Sequence, residues 1–229
     1  MGTFIYALVV LIFLCHDITA DEECVITVKQ GILRGEKRIS AYNKTYCAFF
    51  GIPYGKPPVG ESRFKLAEQA DDWNGIYDAT KEKPSCPQIA IVTHEYTGEE
   101  DCLYLNVYTN QLRNGNGERK ATLVSIHGGA FLSGSASINK YGPDFFLNDD
   151  VILVTIQYRL GILDQSLALR WVHENIEYFG GDANNVTLIG ESAGAASAHY
   201  HLLSNMSKGE NSHFIKNSLS RQILTYPYT

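Results

Sequence analysis

The chain has 229 residues, of which 45% are hydrophobic and 19% are charged, and its formal net charge is −6. This length is enough for one domain with a sizeable core, or for part of a larger protein. A negative surface without long basic runs argues against binding to nucleic acid, because such a surface repels phosphates.

The chain opens with an almost unbroken apolar run at residues 4–14, and the small residue Ala20 follows shortly after it. The run is too short to cross a bilayer, but it suits the hydrophobic region of a signal peptide. We therefore predict a signal peptide at residues 1–20 and secretion of the rest, with a buried N-terminal helix as the alternative. No later segment is long and apolar enough to span a membrane.

Secretion would expose the remaining cysteines to an oxidising compartment, where they become candidates for disulfide bonds. These cysteines are Cys24, Cys47, Cys86 and Cys102, and they allow three pairings. The sequons Asn-X-Ser/Thr are candidate glycosylation sites, and they begin at Asn43, Asn185 and Asn205.

Strands and loops are predicted in the N-terminal part of the chain. A hairpin is expected from strands at 25–28 and 32–35, and another strand is expected at 46–50. Glycines and prolines are frequent at 51–60, which indicates an ordered surface loop. Residues 61–101 show little periodicity and are predicted to be coil with short turns.

Alternating strands and helices are predicted in the rest of the chain. A strand is expected at 103–109, and the continuous apolar runs at 121–126 and 151–158 are typical of parallel strands buried on both faces. A helix is predicted at 165–179, because its apolar residues have helical spacing, and Gly180 is a suitable stop. This order of elements predicts an α/β fold with a doubly wound, mostly parallel sheet.

A strand at 186–189 is followed by Gly190, Ser192 and Gly194 in the pattern G-x-S-x-G, and then by small residues that favour a helix at 193–203. The motif in this position predicts a nucleophile elbow, a tight strand-to-helix turn that presents a serine hydroxyl above the sheet. Glycines are needed on both sides of the serine, because side chains there would collide with the neighbouring backbone.

Several further motifs resemble those of the type-B carboxylesterase/cholinesterase family, and together they extend from about residue 23 to residue 203. The two signature-like stretches are 100–107 and 179–194, and the others include 50–54, 57–60, 127–131 and 158–161. The resemblance implies a secreted α/β-hydrolase, of which residues 21–229 hold the N-terminal part. It also implies hydrolysis of small-molecule carboxylic esters through an acyl-serine intermediate, without a metal or a cofactor.

The resemblance assigns roles to individual residues. Ser192 would be the nucleophile, and the oxyanion hole would use backbone amides from Gly128, Gly129, Ala130 and Ala193. Cys86 and Cys102 would form the first disulfide of the family, whereas the pairing of Cys24 and Cys47 stays open. The loop that this disulfide closes, residues 87–101, lacks the tryptophan that binds choline in cholinesterases, which favours a general ester substrate.

Charged residues around the predicted site are interpreted as structural. Glu100, Arg159 and Arg63 would form an internal ion-pair cluster, because buried charges are tolerated only when they are paired. The segment 160–165 joins a strand directly to a helix, whereas members of the family insert a long loop there. We therefore expect a strained connection at this point.

The general base of the reaction is the missing part of the predicted site. Only 37 residues follow Ser192, whereas the acid and the histidine of the family lie far downstream. His199 and His201 lie on the helix that follows the elbow, roughly 10 Å or more from the serine. We expect either a shortened isoform or an incompletely determined gene sequence, and a chain that is inactive by itself. The alternative is a non-catalytic member of the family that binds esters or serves in adhesion.

Overall fold

The structure of the protein is a computed structural model, and it describes residues 24–204 apart from residues 92, 113–117 and 162. The predicted signal peptide at 1–20 and the sequon at Asn205 lie outside the described residues.

The described residues form short N-terminal strands, a central group of longer strands and a C-terminal pair of longer helices. The strands are β1 (Val25–Val28), β2 (Gly31–Arg34), β3 (Glu36–Ile39), β4 (Thr45–Pro53), β5 (Ile76–Asp78), β6 (Gln88–Ile89), β7 (Tyr96–Thr97), β8 (Tyr104–Thr109), β9 (Lys120–Ile126), β10 (Ile152–Ile156) and β11 (Gly181–Gly190). The α-helices are α1 (Ile138–Tyr141), α2 (Asp144–Asn148), α3 (Leu163–Asn175) and α4 (Ala193–Leu203), and 3-10 turns lie at Gly60–Ser62 and Ile176–Phe179.

The central sheet has six strands in the order β11-β9-β10-β8-β4-β3. Its pairs β11–β9 and β9–β10 are parallel, whereas β10–β8, β8–β4 and β4–β3 are antiparallel. Two of the five strand pairs are therefore parallel, so the sheet is mixed and less parallel than predicted. The reason is local, because β3, β4 and β8 are joined by meandering loops and not by crossover helices.

Layers of side chains cover both faces of this sheet. Every residue of β10 is buried, and alternate residues enter different clusters: Val154 packs into the larger cluster, and Leu153 packs with Leu147 of α2. Leu169 of α3 and Ala198 of α4 belong to the larger cluster, so the two longer helices cover the same face. The continuous apolar runs of the sequence correctly predicted strands that are buried on both sides.

Helix ends follow the signals in the sequence. The predicted helix at 165–179 consists of α3 and the 3-10 turn that continues it, and it ends at Gly180 in a left-handed conformation with φ 86°. Helix α4 has the predicted bounds, 193 and 203. Among the described residues, no helix is long and apolar enough to cross a membrane.

A smaller sheet carries the N-terminal hairpin. Strands β1 and β2 pair as predicted, and β5 adds to β2 in parallel. The strand β5 and the short hairpin β6–β7 lie within the region predicted to be coil. A disulfide between Cys24 and Cys47, whose Cα atoms are 5.5 Å apart, ties the start of β1 to β4 of the central sheet. This bond settles the pairing that the sequence left open.

The link between the two sheets leads to a prediction. The double variant Cys24→Ser/Cys47→Ser should lower the free energy of unfolding by about 3 kcal/mol, because the bond restricts the unfolded chain over a loop of this size. Urea denaturation of the purified protein measures this loss. An unchanged midpoint and slope would show that the hairpin does not depend on the bond.

Candidate active site

The turn between β11 and α4 has the geometry of a nucleophile elbow. Strand β11 ends at Gly190, α4 begins at Ala193, and Ser192 lies between them with φ 55° and ψ −120°. This conformation is rare for a residue with a β-carbon, and such positions cost roughly 1–3 kcal/mol each. Ser192 is exposed. The strained backbone therefore holds an accessible hydroxyl at the edge of the sheet.

Glycines on both sides of Ser192 allow the backbones to approach closely. A β-carbon on Gly190 would overlap the backbone of Gly194, and one on Gly194 would overlap the carbonyl of Ile126 at the end of β9. Helix α4 therefore starts directly against the carboxyl end of β9. The sequence prediction that side chains would not fit at these two positions agrees with this geometry.

Residues 127–134, which we call the glycine loop, follow β9 and lie beside the elbow. A β-carbon on Gly128 would lie 2.6 Å from the carbonyl oxygen of Glu191 and 3.3 Å from the β-carbon of Ser192. The amide of Gly128 donates to the hydroxyl of Tyr141 at 3.4 Å. Of the predicted oxyanion donors, Gly128 thus has its N–H directed at a phenol.

The amides of Gly129 and Ala130 have a different environment. The carbonyl of Gly129 accepts from the amides of Leu132 and Ser133 at 2.9 and 3.0 Å, which closes a tight turn. Within the described part of the chain, no acceptor pairs with the amides of Gly129 and Ala130. Ala193 is the first residue of α4, where an amide has no partner within the helix. The amides of Gly129, Ala130 and Ala193 thus have no hydrogen-bond partner among the described residues.

The side chain of His127, the first residue of the glycine loop, packs against the backbone of the loop. It is 3% exposed, its Nδ1 lies 2.9 Å from the carbonyl oxygen of Gly128, and its ring stacks on Tyr158 at 4.2 Å. The hydroxyl of Tyr158 donates to the carbonyl of His127 at 2.5 Å. Burial lowers the pKa of His127 to about 4. The ring is thus neutral and directed at the loop backbone.

His201 lies in a buried polar network between α3 and α4. Its Nε2 is 2.9 Å from Oε1 of Gln165, whose Nε2 donates to Oγ of Ser197 at 3.1 Å. Burial lowers the pKa of His201 to about 4. Its partners place it among the contacts between the two helices. His199, on the same helix, is exposed.

The predicted internal ion-pair cluster is only partly confirmed, because Arg63 is exposed and the pairing differs from the prediction. Nε of Arg63 lies 2.5 Å from a carboxylate oxygen of Glu100. Arg159 instead donates to both oxygens of Asp164, at 2.7 and 2.6 Å, and to the backbone carbonyls of Arg63 and Lys65. The short connection at residues 160–165 brings Asp164 next to Arg159. Arg159 therefore pairs with Asp164 and not with Glu100.

A cavity of about 380 Å³ lies where these ion pairs meet the short connection. Its walls include the exposed residues Phe64, Leu160 and Leu163, and the disulfide residue Cys86. Ser192 is not among its lining residues. The cavity is therefore separate from the elbow.

The structure contains the disulfide that the resemblance implied. Cys86 and Cys102 are bonded, both are buried, and their Cα atoms are 5.0 Å apart. Two predicted glycosylation sites are within the described residues. Asn43 is exposed on the turn between β3 and β4 with φ 58°, and Asn185 is exposed within β11.

A comparison with models of protein families decides the family. The model described as "Carboxylesterase family" matches residues 22–163 and 160–223. The chain belongs to the carboxylesterase family. The match is broken into two segments that meet at residues 160–163, where the sequence predicted a missing loop.

Relatives within the carboxylesterase family cover most of this chain. A carboxylic ester hydrolase of Bombus ignitus is 38% identical in an alignment that covers 91% of this chain and 41% of the relative. A juvenile hormone esterase of Tribolium castaneum is 40% identical over 81% of this chain and 34% of its own length. The chain thus spans between about a third and two fifths of the length of the curated relatives it matches.

A solved structure confirms the α/β-hydrolase fold of this family member. It is the crystal structure of juvenile hormone esterase from Manduca sexta with OTFP covalently attached. The likeness has a TM-score of 0.77 and 33% sequence identity, and it covers 86% of this chain and 40% of the other.

The buried His201 leads to a prediction about pH. Its lowered pKa means that the unfolded chain takes up a proton that the folded chain does not, so stability falls as the pH falls from about 6.5 towards about 4. His201→Gln should reduce the loss of unfolding free energy between pH 7 and pH 5 by about 2 kcal/mol. The exposed His199→Gln is the matched control on the same helix. Equal losses in both variants, measured by urea denaturation, would contradict the assignment.

Proposed function

We propose that residues 24–204 supply the nucleophile and the oxyanion hole of a carboxylic ester hydrolase. The observation that carries the proposal is the strained backbone of Ser192, which presents an exposed hydroxyl next to the glycine loop. The amides of Gly129 and Ala130 in this loop have no partner in the described part of the chain. A binding or adhesion protein has no use for such strain, which is why we favour an enzyme over the non-catalytic alternative. Membership of the carboxylesterase family supports the same choice.

The proposed reaction proceeds in two steps. Oγ of Ser192 attacks the carbonyl carbon of the ester while a base accepts the hydroxyl proton, and the carbonyl oxygen becomes an oxyanion. The amides of Gly129, Ala130 and Ala193 would hold this oxyanion, and removing one such donor typically costs ~3 kcal/mol of activation free energy. The tetrahedral intermediate expels the alcohol, which takes up the proton, and leaves an acyl-serine. Water then attacks the acyl group and releases the acid.

We further propose that the general base comes from outside the described residues. A base has to reach Oγ of Ser192 within hydrogen-bonding distance. His127 is directed at Gly128, and His201 is directed at Gln165. Both rings are buried, and burial opposes the positive charge that a base acquires during the reaction.

The substrate class and the location of the protein are also proposals. We propose a small-molecule carboxylic ester without a choline group, because the loop 87–101 has no tryptophan. The two disulfides suit an oxidising compartment and support secretion after removal of residues 1–20. N-linked glycans would then be attached at exposed sequons, of which Asn43 lies on a turn.

Labelling with a fluorophosphonate tests the proposal. The purified chain should label slowly at Ser192 in plain buffer, and 0.1 M imidazole should accelerate labelling by roughly tenfold or more, since a positioned base contributes 10²–10⁴-fold. Ser192→Ala is the control, and it should not label in either buffer. Mass spectrometry of the modified peptide measures the rate.

Two results would contradict different parts of the proposal. Absence of labelling at Ser192 even with imidazole would show that the elbow is not a working nucleophile. Rapid, stoichiometric labelling without imidazole would show that the polypeptide already contains its base.

A further inference from the structure

The disulfide loop and the glycine loop are joined by one side chain. Gln88 lies in β6, two residues after Cys86, and is 9% exposed. Its Nε2 donates to the carbonyl of Gly134 at 2.8 Å, and its Oε1 accepts from the amide of Gly134 at 2.6 Å. A single amide thus satisfies both backbone groups of the residue that ends the glycine loop.

The orientation of this amide is fixed by its partners. Nε2 also donates to the carbonyl of Cys86 at 3.1 Å, so the nitrogen faces two carbonyl oxygens and the oxygen faces one N–H. If the side-chain amide were flipped, its oxygen would face two carbonyl oxygens and its nitrogen would face an N–H. None of these contacts could be a hydrogen bond, because a carbonyl only accepts and an N–H only donates. Gln88 therefore holds the backbone of its own strand and that of the glycine loop in one relative position.

Gly134 transmits this position to the rest of the glycine loop. With φ 133°, its backbone packs so closely on His127 that a β-carbon would overlap Nδ1 of the ring and the carbonyl of Gly128. Ser133, the preceding residue, donates to the carbonyl of Gly129. A shift of Gly134 therefore moves the ring of His127 and the turn that is closed at the carbonyl of Gly129. This turn orients the amides of Gly129 and Ala130.

The disulfide fixes the strand from which Gln88 extends. Cys86 and Cys102 are bonded and buried, and Gln88 pairs with Thr97 of β7 inside the loop that the bond closes. Gly98 contacts the carbonyl of Cys86 so closely that a β-carbon would not fit. The loop is thus packed against its own cross-link, and Gln88 is the polar contact from it to Gly134.

We propose that Gln88 is a positioning residue for the oxyanion hole, and that the Cys86–Cys102 disulfide acts on the glycine loop through it. Gln88 does not touch the reacting atoms; it sets where the amides of Gly129 and Ala130 lie. The inference rests on the proposed function in so far as those amides hold an oxyanion. The effect of Gln88 on the backbone of the glycine loop can be measured without any reaction.

Hydrogen–deuterium exchange of the secreted chain tests the link. Gln88→Leu keeps the size of the side chain but removes all three hydrogen bonds, so exchange within residues 128–134 should rise by roughly tenfold. Gln88→Glu should do the same, because it puts a negative oxygen against two carbonyls. Gln69→Leu, which alters an exposed glutamine, is the matched control and should change nothing in that peptide.

Paired disulfide variants test the second half of the proposal. Cys86→Ser/Cys102→Ser should raise exchange within residues 128–134, whereas Cys24→Ser/Cys47→Ser, which also removes one cross-link, should leave that peptide unchanged. Equal effects of the two double variants would overturn the assignment of the link to the Cys86–Cys102 loop. An unchanged peptide in Gln88→Leu, or a rise spread equally over β9 and β10, would overturn the role of Gln88.

The imidazole-assisted labelling of Ser192 distinguishes this inference from the proposed function. If the unaltered chain labels, Gln88→Leu should label at least several-fold more slowly at a temperature where both chains are fully folded by circular dichroism. An unchanged rate would overturn the positioning role. If the unaltered chain does not label at all, the proposed function fails, and the exchange experiment still decides whether Gln88 holds the glycine loop.

Discussion

The close approach of two backbones at the carboxyl ends of β9 and β11 governs the candidate site. The strands are parallel neighbours, and Gly190 pairs with Ile126, so the segments that follow them must share one small space. Gly194 and Gly128 meet this requirement, because a β-carbon at either position would overlap the opposite backbone. The start of α4, the position of the glycine loop and the strain at Ser192 all follow from that contact.

Elements with strong local signals could be predicted from the sequence. The bounds of α4 and the stop at Gly180 follow from small residues and from a left-handed glycine. The strand β3 was missed because Glu36–Ile39 is largely polar, and its strand form comes from pairing with β4. The strand β5 has only three residues, too few to show a period, and its pairing with β2 is a tertiary contact.

Parts of the site that depend on distant pairs could not be predicted. The amide of Gly128, which stays a predicted oxyanion donor, donates to the hydroxyl of Tyr141, and no local pattern relates these two residues. Arg159 pairs with Asp164 because the short connection brings them together. The contact of Gln88 with Gly134 joins residues 46 positions apart, and a lone glutamine in a loop carries no signal for it. The position of Gln88 is explained by its side-chain amide, which reaches both the carbonyl and the N–H of Gly134.

The backbone at position 192 has a cost that does not depend on the hydroxyl. The penalty for φ 55° arises from the β-carbon, which serine and alanine share and glycine lacks. Ser192→Ala, which replaces the hydroxyl by hydrogen, therefore leaves the conformational energy of the turn unchanged. Ser192→Gly, which removes the β-carbon, removes this penalty. The hydroxyl oxygen of Ser192 thus determines its reactivity, whereas the adjacent β-carbon determines the conformational energy of the turn. A substitution can change one of these two quantities without changing the other.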